Sequence, residues 1–455
     1  MRNSSKPGGR RQPKWRLWTV GVSAVVLAVG GTTAVLQQSS TAAPASTTAS
    51  SSSESTNTTT AQVASDGTVT TAAANCSRAA SKTAKVRITN VKLPAKVKGY
   101  GNQGDTEAIP MAVAAASNGR SWLAWLGTNE KVYLQQLGCD DKLIGKAVSF
   151  AGIDLQDVSA DAKGGALLIT KKGSCGTGPL CGGTSSPCNT MHLIRFNTSG
   201  KLVSNTQVTN LTSTRKGYSN GARFVWWYQH HGRLAFDGTN YSAYFGTAIT
   251  VKNGNCVDIH QGDRFQTVNA STGKIVKGKS VDFGCSHAWT SRIIYDPAKK
   301  KFVMTCATDN NCRIAQPDPY RTVAAGKCDG TLFNGDLVLA GTGYWNAWSQ
   351  GNAVRISRFT TGAANKTVKP GVATQHPHLV RYSKSKMLLT WGSGTTTKAK
   401  ILSRSTGATI GSTLTIKAKD HDFMSWKEYK DGSTAYAASG ANSNYIKIAR
   451  VMPVS

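Results

Sequence analysis

The sequence predicts an all-β domain behind a non-globular N-terminus, and three observations carry that prediction. Downstream of Cys76 apolar residues do not recur at helical spacing; short β-branched and aromatic runs alternate with clusters of Gly, Asn, Asp and Ser. One unit, a strand, a tight turn and a second strand, returns six times along the chain. Turn-forming residues sit in the middle of each unit: Asn118-Gly119, Gly164-Gly165, Asp237-Gly238, Asp296-Pro297, Ser383-Lys384 and Asp431-Gly432.

The N-terminal part has its own logic. Residues 1–16 hold six basic side chains and no acid, and residues 17–36 are an uncharged, largely apolar run. A positive flank before such a run reads as a signal peptide or a signal anchor. Residues 37–75 are a Ser, Thr and Ala stalk with almost nothing to bury, so disorder is expected there and the globular domain is assigned to 76–455. The protein is expected to be secreted or held at the cell surface, anchored through the apolar segment if it is not cleaved.

Within the domain, a third strand follows each repeated pair. In four repeats a Ser-Gly or Thr-Gly turn then leads toward a fourth, as in MHLIRFNTSGKLV and KAKILSRSTGATI. The last repeat has NYIKIARVMP and lacks a fourth strand, while AKVRITNVKLP (84–94) is a spare strand ahead of the first. Pairing the two closes a ring and removes its free edges. The pattern resembles a β-propeller of six four-stranded blades closed by the N-terminal strand. A seventh blade is the alternative, because the long stretch 307–351, with GDLVLAGTGYWNAW, has room for one. A ring closed on itself is expected to be a monomer.

In this architecture the loops entering each blade and those joining its second and third strands share one face, at the mouth of the central channel. Tight turns occupy the other face. Seven of the eight histidines are assigned to the mouth face. Asp258, His260 and Asp263 of VDIHQGDR, with His287 of GCSHAW, form the strongest candidate constellation. Imidazoles and carboxylates together suit a divalent metal ion that activates water. Aromatic residues form a second constellation: Trp226, Trp227, Tyr228 and His231, then Trp289, then Tyr344, Trp345 and Trp348. Placed in mouth loops, these rings suit stacking on a sugar. Arg264 adds a cation for an acidic ligand.

Ten cysteines behind an export signal are read as disulfides. Cys256 with Cys285 on the mouth face, and Cys76 with Cys139 on the opposite face, are the expected pairs.

Composition narrows the functional classes. Lys and Arg exceed Asp and Glu by 31, and by 25 once the six leader residues are removed (31 − 6). A polycation of this kind attracts anionic polymers and membranes. Its charge is spread rather than concentrated in runs, so no dedicated nucleic-acid site is expected. Only four glutamates are present, which disfavours a paired-carboxylate glycosidase. No nucleophile elbow or phosphate-binding glycine loop occurs. The expected function is binding of a glycan or anionic envelope polymer at the mouth. A metal-dependent hydrolase, lyase or oxidoreductase using the His/Asp set is the alternative.

Overall fold

The computed structural model describes residues 75–99, 111–173, 189–209, 223–225, 232–254, 256–282, 285, 290–308, 312–359, 366–368, 377–419, 421 and 425–455. All belong to one compact unit, Val69–Ser455. Among them only strands, turns and connecting segments occur, and no helix is long and apolar enough to cross a membrane. The apolar run 17–36 and the stalk lie outside the described residues.

The strands form seven antiparallel sheets. After β1 (Val86–Lys92), blade 1 comprises β2 (Met111–Ala115), β3 (Ser121–Leu126), β4 (Lys131–Leu137) and β5 (Leu143–Ala151). Blade 2 comprises β6 (Asp154–Asp161), β7 (Gly164–Lys171), β8 (Thr190–Asn197) and β9 (Leu202–Gln207). In blade 3, β10 (Arg223–Phe224) and β11 (Arg233–Phe236) both pair with β12 (Asn240–Asn253), followed by β13 (Cys256–Asn269) and β14 (Ile275–Asp282). Blade 4 comprises β15 (Ser291–Asp296), β16 (Lys301–Thr308), β17 (Arg313–Pro317) and β18 (Tyr320–Ala325). Blade 5 comprises β19 (Leu332–Ala340), β20 (Gly343–Gln350), β21 (Ala353–Phe359) and β22 (Lys366–Val368). Blade 6 comprises β23 (His378–Tyr382), β24 (Lys386–Ser393), β25 (Thr396–Ser403) and β26 (Thr409–Ile416). Blade 7 comprises β27 (Lys427–Glu428), β28 (Thr434–Ser439) and β29 (Tyr445–Val451), and β1 completes it.

The protein is therefore a seven-bladed propeller, which corrects the expected six. The extra blade comes from the stretch 307–351. Blade 4 owns the strands RIAQP and YRTVAA, whose tight connection carries no Ser-Gly or Thr-Gly signal. The third strand AVRISRF thus belongs to blade 5, not to blade 4. Closure by the N-terminal strand holds: β1 runs antiparallel to β29 from Val86↔Val451 to Lys92↔Tyr445.

Residue type follows position in the blade. Second strands such as SWLAWL are buried at every residue, because a blade in the ring is covered on both faces by its neighbours. Outer strands alternate or lie open, as LVSNTQ does in β9. Aspartates at the ends of inner strands latch successive blades. Asp161 accepts from the Tyr241 hydroxyl of the next blade at 3.0 Å and from Arg195 at 2.8 Å. Asp296 accepts from the Tyr344 hydroxyl at 2.5 Å.

Buried charge gathers at the seam where the ring closes. Arg450, fully buried, donates twice to the fully buried Asp141, at 2.6 and 2.9 Å, and lies 3.9 Å from the centre of the Tyr429 ring. Arg87 of β1 reaches the same carboxylate at 2.6 Å. Arg78 bridges Asp431 of blade 7 at 2.8 Å and the carbonyls of Gly119 and Cys139 in blade 1. Cys76 is bonded to Cys139, tying the incoming chain to blade 1.

Candidate functional site

Inner strands β2, β6, β11, β15, β19, β23 and β27 touch in sequence around the axis and line the bore of the ring. Six of them contribute a charged or ionisable side chain, Arg233, Arg292, His378 and Lys427 from the strand start and Asp157 and Asp336 from mid-strand, and these pair in two groups. Asp336 of β19 forms an ion pair with Arg292 Nε of β15 at 2.8 Å, lies 3.9 Å from Arg233 Nε of β11, and lies 2.7 Å from His378 Nδ1 of β23. Asp157 of β6 accepts twice from Lys427 Nζ of β27, at 2.8 and 3.1 Å, and from the Leu234 amide at 3.0 Å. The remaining inner strand, MAVAA in blade 1, offers no charge. Lys427 therefore reaches past it to blade 2.

Side-chain chemistry fixes the protonation of this ring. His378 presents Nδ1 to a carboxylate and Nε2 to the His421 carbonyl at 2.9 Å. Both neighbours only accept, so both ring nitrogens donate and the imidazolium form is favoured. Asp336 is largely withdrawn from solvent, which by itself raises a carboxyl pKa. Its contacts to Arg292, His378 and Arg233 outweigh that and hold it well below the usual carboxylate range. Arg233, Arg292, Arg381 and Lys427 thus face Asp157, Asp336 and Glu428 around a cavity of about 410 Å³, with His378 held against Asp336. Leu337, Val338, Leu379, Val380 and Trp426 supply the apolar wall.

At the far end of the bore Arg381 Nε and Glu428 lie 3.4 Å apart. Burial raises the Glu428 pKa, and Arg381 and Arg404 pull it down less strongly.

These aspartates make stability pH-dependent. Asp336, Asp141, Asp296 and Asp431 all have lowered pKa values, in each case because hydrogen bonds or cations outweigh the effect of burial. A folded pKa below the unfolded one means that the stabilisation is complete above about pH 4 and is lost as pH falls through the folded values. Thermal unfolding temperature is expected to be level from pH 7 to about pH 5 and to fall steeply below about pH 4. A maximum on the acid side would contradict these assignments.

The expected constellations fare differently. β13 pairs with β12 without a bulge from Cys256 to Asn269, so its side chains alternate between faces. His260 and Asp263, three residues apart, point to opposite faces: His260 is exposed and Asp263 fully buried. Asp263 accepts from the Tyr244 hydroxyl and from the Cys285 amide, the latter at 2.9 Å. These two residues do not form a metal site together. The Asp258 side chain and His287 lie outside the described residues.

Cys285 is bonded to Cys306, not to Cys256 as expected. Cys306 stands opposite Ser291 at the mouth end of blade 4, beside the loop that carries Cys285. Asp263, Cys285 and Cys306 lie within 4.8 Å of one another, but the disulfide engages both sulfurs. Cys312 is bonded to Cys328.

Tyr344, Trp345 and Trp348 are not in a mouth loop. They lie in β20 and are buried, because GYWNAWSQ is a second strand covered on both sides. Trp345 Nε1 donates to the Arg404 carbonyl at 2.8 Å and Trp348 Nε1 to Ser357 Oγ at 2.7 Å, so their polar edges are satisfied inside the protein. Arg264 is buried too, and donates to the Val208 carbonyl of blade 2 at 2.7 Å. Trp226, Trp227, Tyr228, His231 and Trp289 lie outside the described residues.

Sequence reasoning did not join Asp157, Arg233, Arg292, Asp336, His378 and Lys427 into one site. A signal was present: a charged or ionisable residue at or close to the start of several inner strands.

No protein-family model matches the chain, and no curated protein matches it in sequence. Among solved structures it is similar to the WD40 domain of coronin from Toxoplasma gondii. The identity is 7%, with a TM-score of 0.45, over 84% of this chain and 89% of that one. It is also similar to the Dos1 propeller, at 9% identity and TM-score 0.43 over 80% and 84% of the two chains. A protein of unknown function from Dyadobacter fermentans is similar at 14% identity and TM-score 0.39, over 81% and 99%.

Proposed function

We propose that the chain is an exported propeller that binds an anionic ligand, an acidic glycan or a phosphate-bearing envelope polymer, by drawing one acidic group into the bore. The observation that carries this reading is the convergence of Arg233, Arg292, Arg381 and Lys427 on one cavity whose acids are Asp157, Asp336 and Glu428. Cations in a low-dielectric cleft focus the field and favour entry of an anion. The buried tryptophans of β20 take no part, which moves the reading away from sugar stacking and toward charge.

The test is equilibrium binding of the full chain to polygalacturonate, poly(glycerol phosphate) and neutral dextran. Binding is expected for one or both acidic polymers, weakening with salt, and absent for dextran. Lys427→Gln keeps a hydrogen bond to Asp157 while removing a charge, and is expected to weaken binding roughly tenfold, about 1.4 kcal/mol. Equal binding of dextran would sink the reading.

A further inference from the structure

The face opposite the mouth carries a separate feature. Contacts join its turns across three blade junctions: Lys299 Nζ donates to the Thr342 carbonyl between blades 4 and 5 at 3.2 Å, the Ser383 amide to the Gly432 carbonyl between blades 6 and 7, and Arg78 joins blades 7 and 1. Lys163, Lys201, Lys274, Lys300, Lys384 and Lys430, all exposed, project from these turns. The aspartates of the same face are mostly turned inward. Asp161, Asp296 and Asp431 accept from Arg195, Tyr344 and Arg78, and Asp141 from Arg450, which leaves the exposed Asp140 and Asp318 and the partly exposed Asp237 as its outward carboxylates among the described residues. The acids fasten the turns while the lysines face solvent.

Apolar side chains mark the rim of this face. The large exposed hydrophobics among the described residues are Leu202, Val203, Ile275, Tyr320 and Ile410, 38–56% accessible. Each is the first or second residue of an outer strand, directly after a turn of this face, in blades 2, 3, 4 and 6. Nothing in blade geometry requires apolar residues there. Lysines with protruding apolar side chains at one level are the combination that a charged bilayer surface selects, since ammonium groups meet lipid phosphates while apolar groups enter the headgroup boundary. The chain also enters the propeller here, since the Cys76 amide donates to the Asn118 carbonyl in the first turn of blade 1. The apolar segment 17–36 precedes that point in the sequence.

We propose that the tight-turn face is a docking surface for an anionic lipid bilayer, with the channel mouth directed away from it. The ligand bound in the bore and the surface on which the propeller rests are then separate partners on opposite faces.

Lysine acylation read by mass spectrometry tests this on the full chain, with vesicles of phosphatidylcholine alone or with one third phosphatidylglycerol. Lys163, Lys201, Lys274, Lys384 and Lys430 are expected to be protected at least threefold by the anionic vesicles, and released by high salt. Lys96, Lys327 and Lys417, exposed on the mouth side, serve as the internal control and are expected to react equally in both. Ile275→Ser with Leu202→Ser is expected to reduce the protection. Equal reactivity in the two vesicle types, protection of the mouth-side lysines instead, or protection by soluble poly(glycerol phosphate) without protection by vesicles would each overturn the proposal. None of these outcomes bears on binding in the bore, which Lys427→Gln reports separately.

Discussion

Arg450→Ala is expected to cost about 3–5 kcal/mol, among the largest losses from any single side chain in the domain. The guanidinium is fully buried, and Asp141, whose lowered pKa Arg450 and Arg87 maintain, is fully buried beneath it. Removing the cation leaves a carboxylate sealed from water with only the partly exposed Arg87 beside it. Asp141→Asn isolates the charge from the turn geometry. Its φ of 64° lies in the left-handed region, which Asn tolerates as readily as Asp. Denaturant unfolding checks both variants. A loss near 3 kcal/mol or more for Arg450→Ala, together with a smaller loss for Asp141→Asn, is expected. A change under about 0.5 kcal/mol in each would mean that the seam does not hold the ring.

Cys76→Ser with Cys139→Ser is the second large effect. The bond closes a loop with a sequence separation of 63 residues. A loop of that length removes about 4 kcal/mol of chain entropy from the unfolded state in the loop-closure account. The loop includes β1, so without the bond the closing strand depends on its ladder to β29 and on the contacts of Arg78, Arg87 and Thr89 with blades 7 and 1. Unfolding is then expected to lose cooperativity as well as free energy, with β1 exchanging its amide hydrogens before the other blades. Protection of β1 unchanged from the wild type would contradict this.

The fold was legible because propeller blades repeat their chemistry. Turn pairs such as Asp237-Gly238 and Asp431-Gly432, and second strands such as SWLAWL, announce a unit whatever its neighbours are. The spare strand 84–94 announced the closure. Blade 5 is hard to separate in the sequence because blade 4 joins its third and fourth strands without a Ser-Gly or Thr-Gly turn. Loops were the wrong place to put Tyr344, Trp345 and Trp348 for the same reason: once GYWNAW is a second strand, burial follows.

The site was less legible. A charged ring across six inner strands is assembled from residues as far apart in sequence as Asp157 and Lys427. No local spacing marks it, and each member alone reads as an ordinary polar strand residue. His260 and Asp263 looked like a pair because they are close in sequence. Strand alternation separates them, and that follows only once the segment is known to be one unbroken strand.

The central claim is that an acidic ligand enters the bore, and Trp426 offers a local reporter because it lines that cavity beside Lys427. Full-chain protein is titrated with oligogalacturonate while tryptophan fluorescence is followed in wild type, Trp426→Phe and Lys427→Gln. The account predicts a saturable change in the wild type, its loss in Trp426→Phe without loss of binding by calorimetry, and a dissociation constant roughly tenfold higher in Lys427→Gln. A fluorescence change that survives in Trp426→Phe, with the same dissociation constant in Lys427→Gln as in wild type, would contradict it.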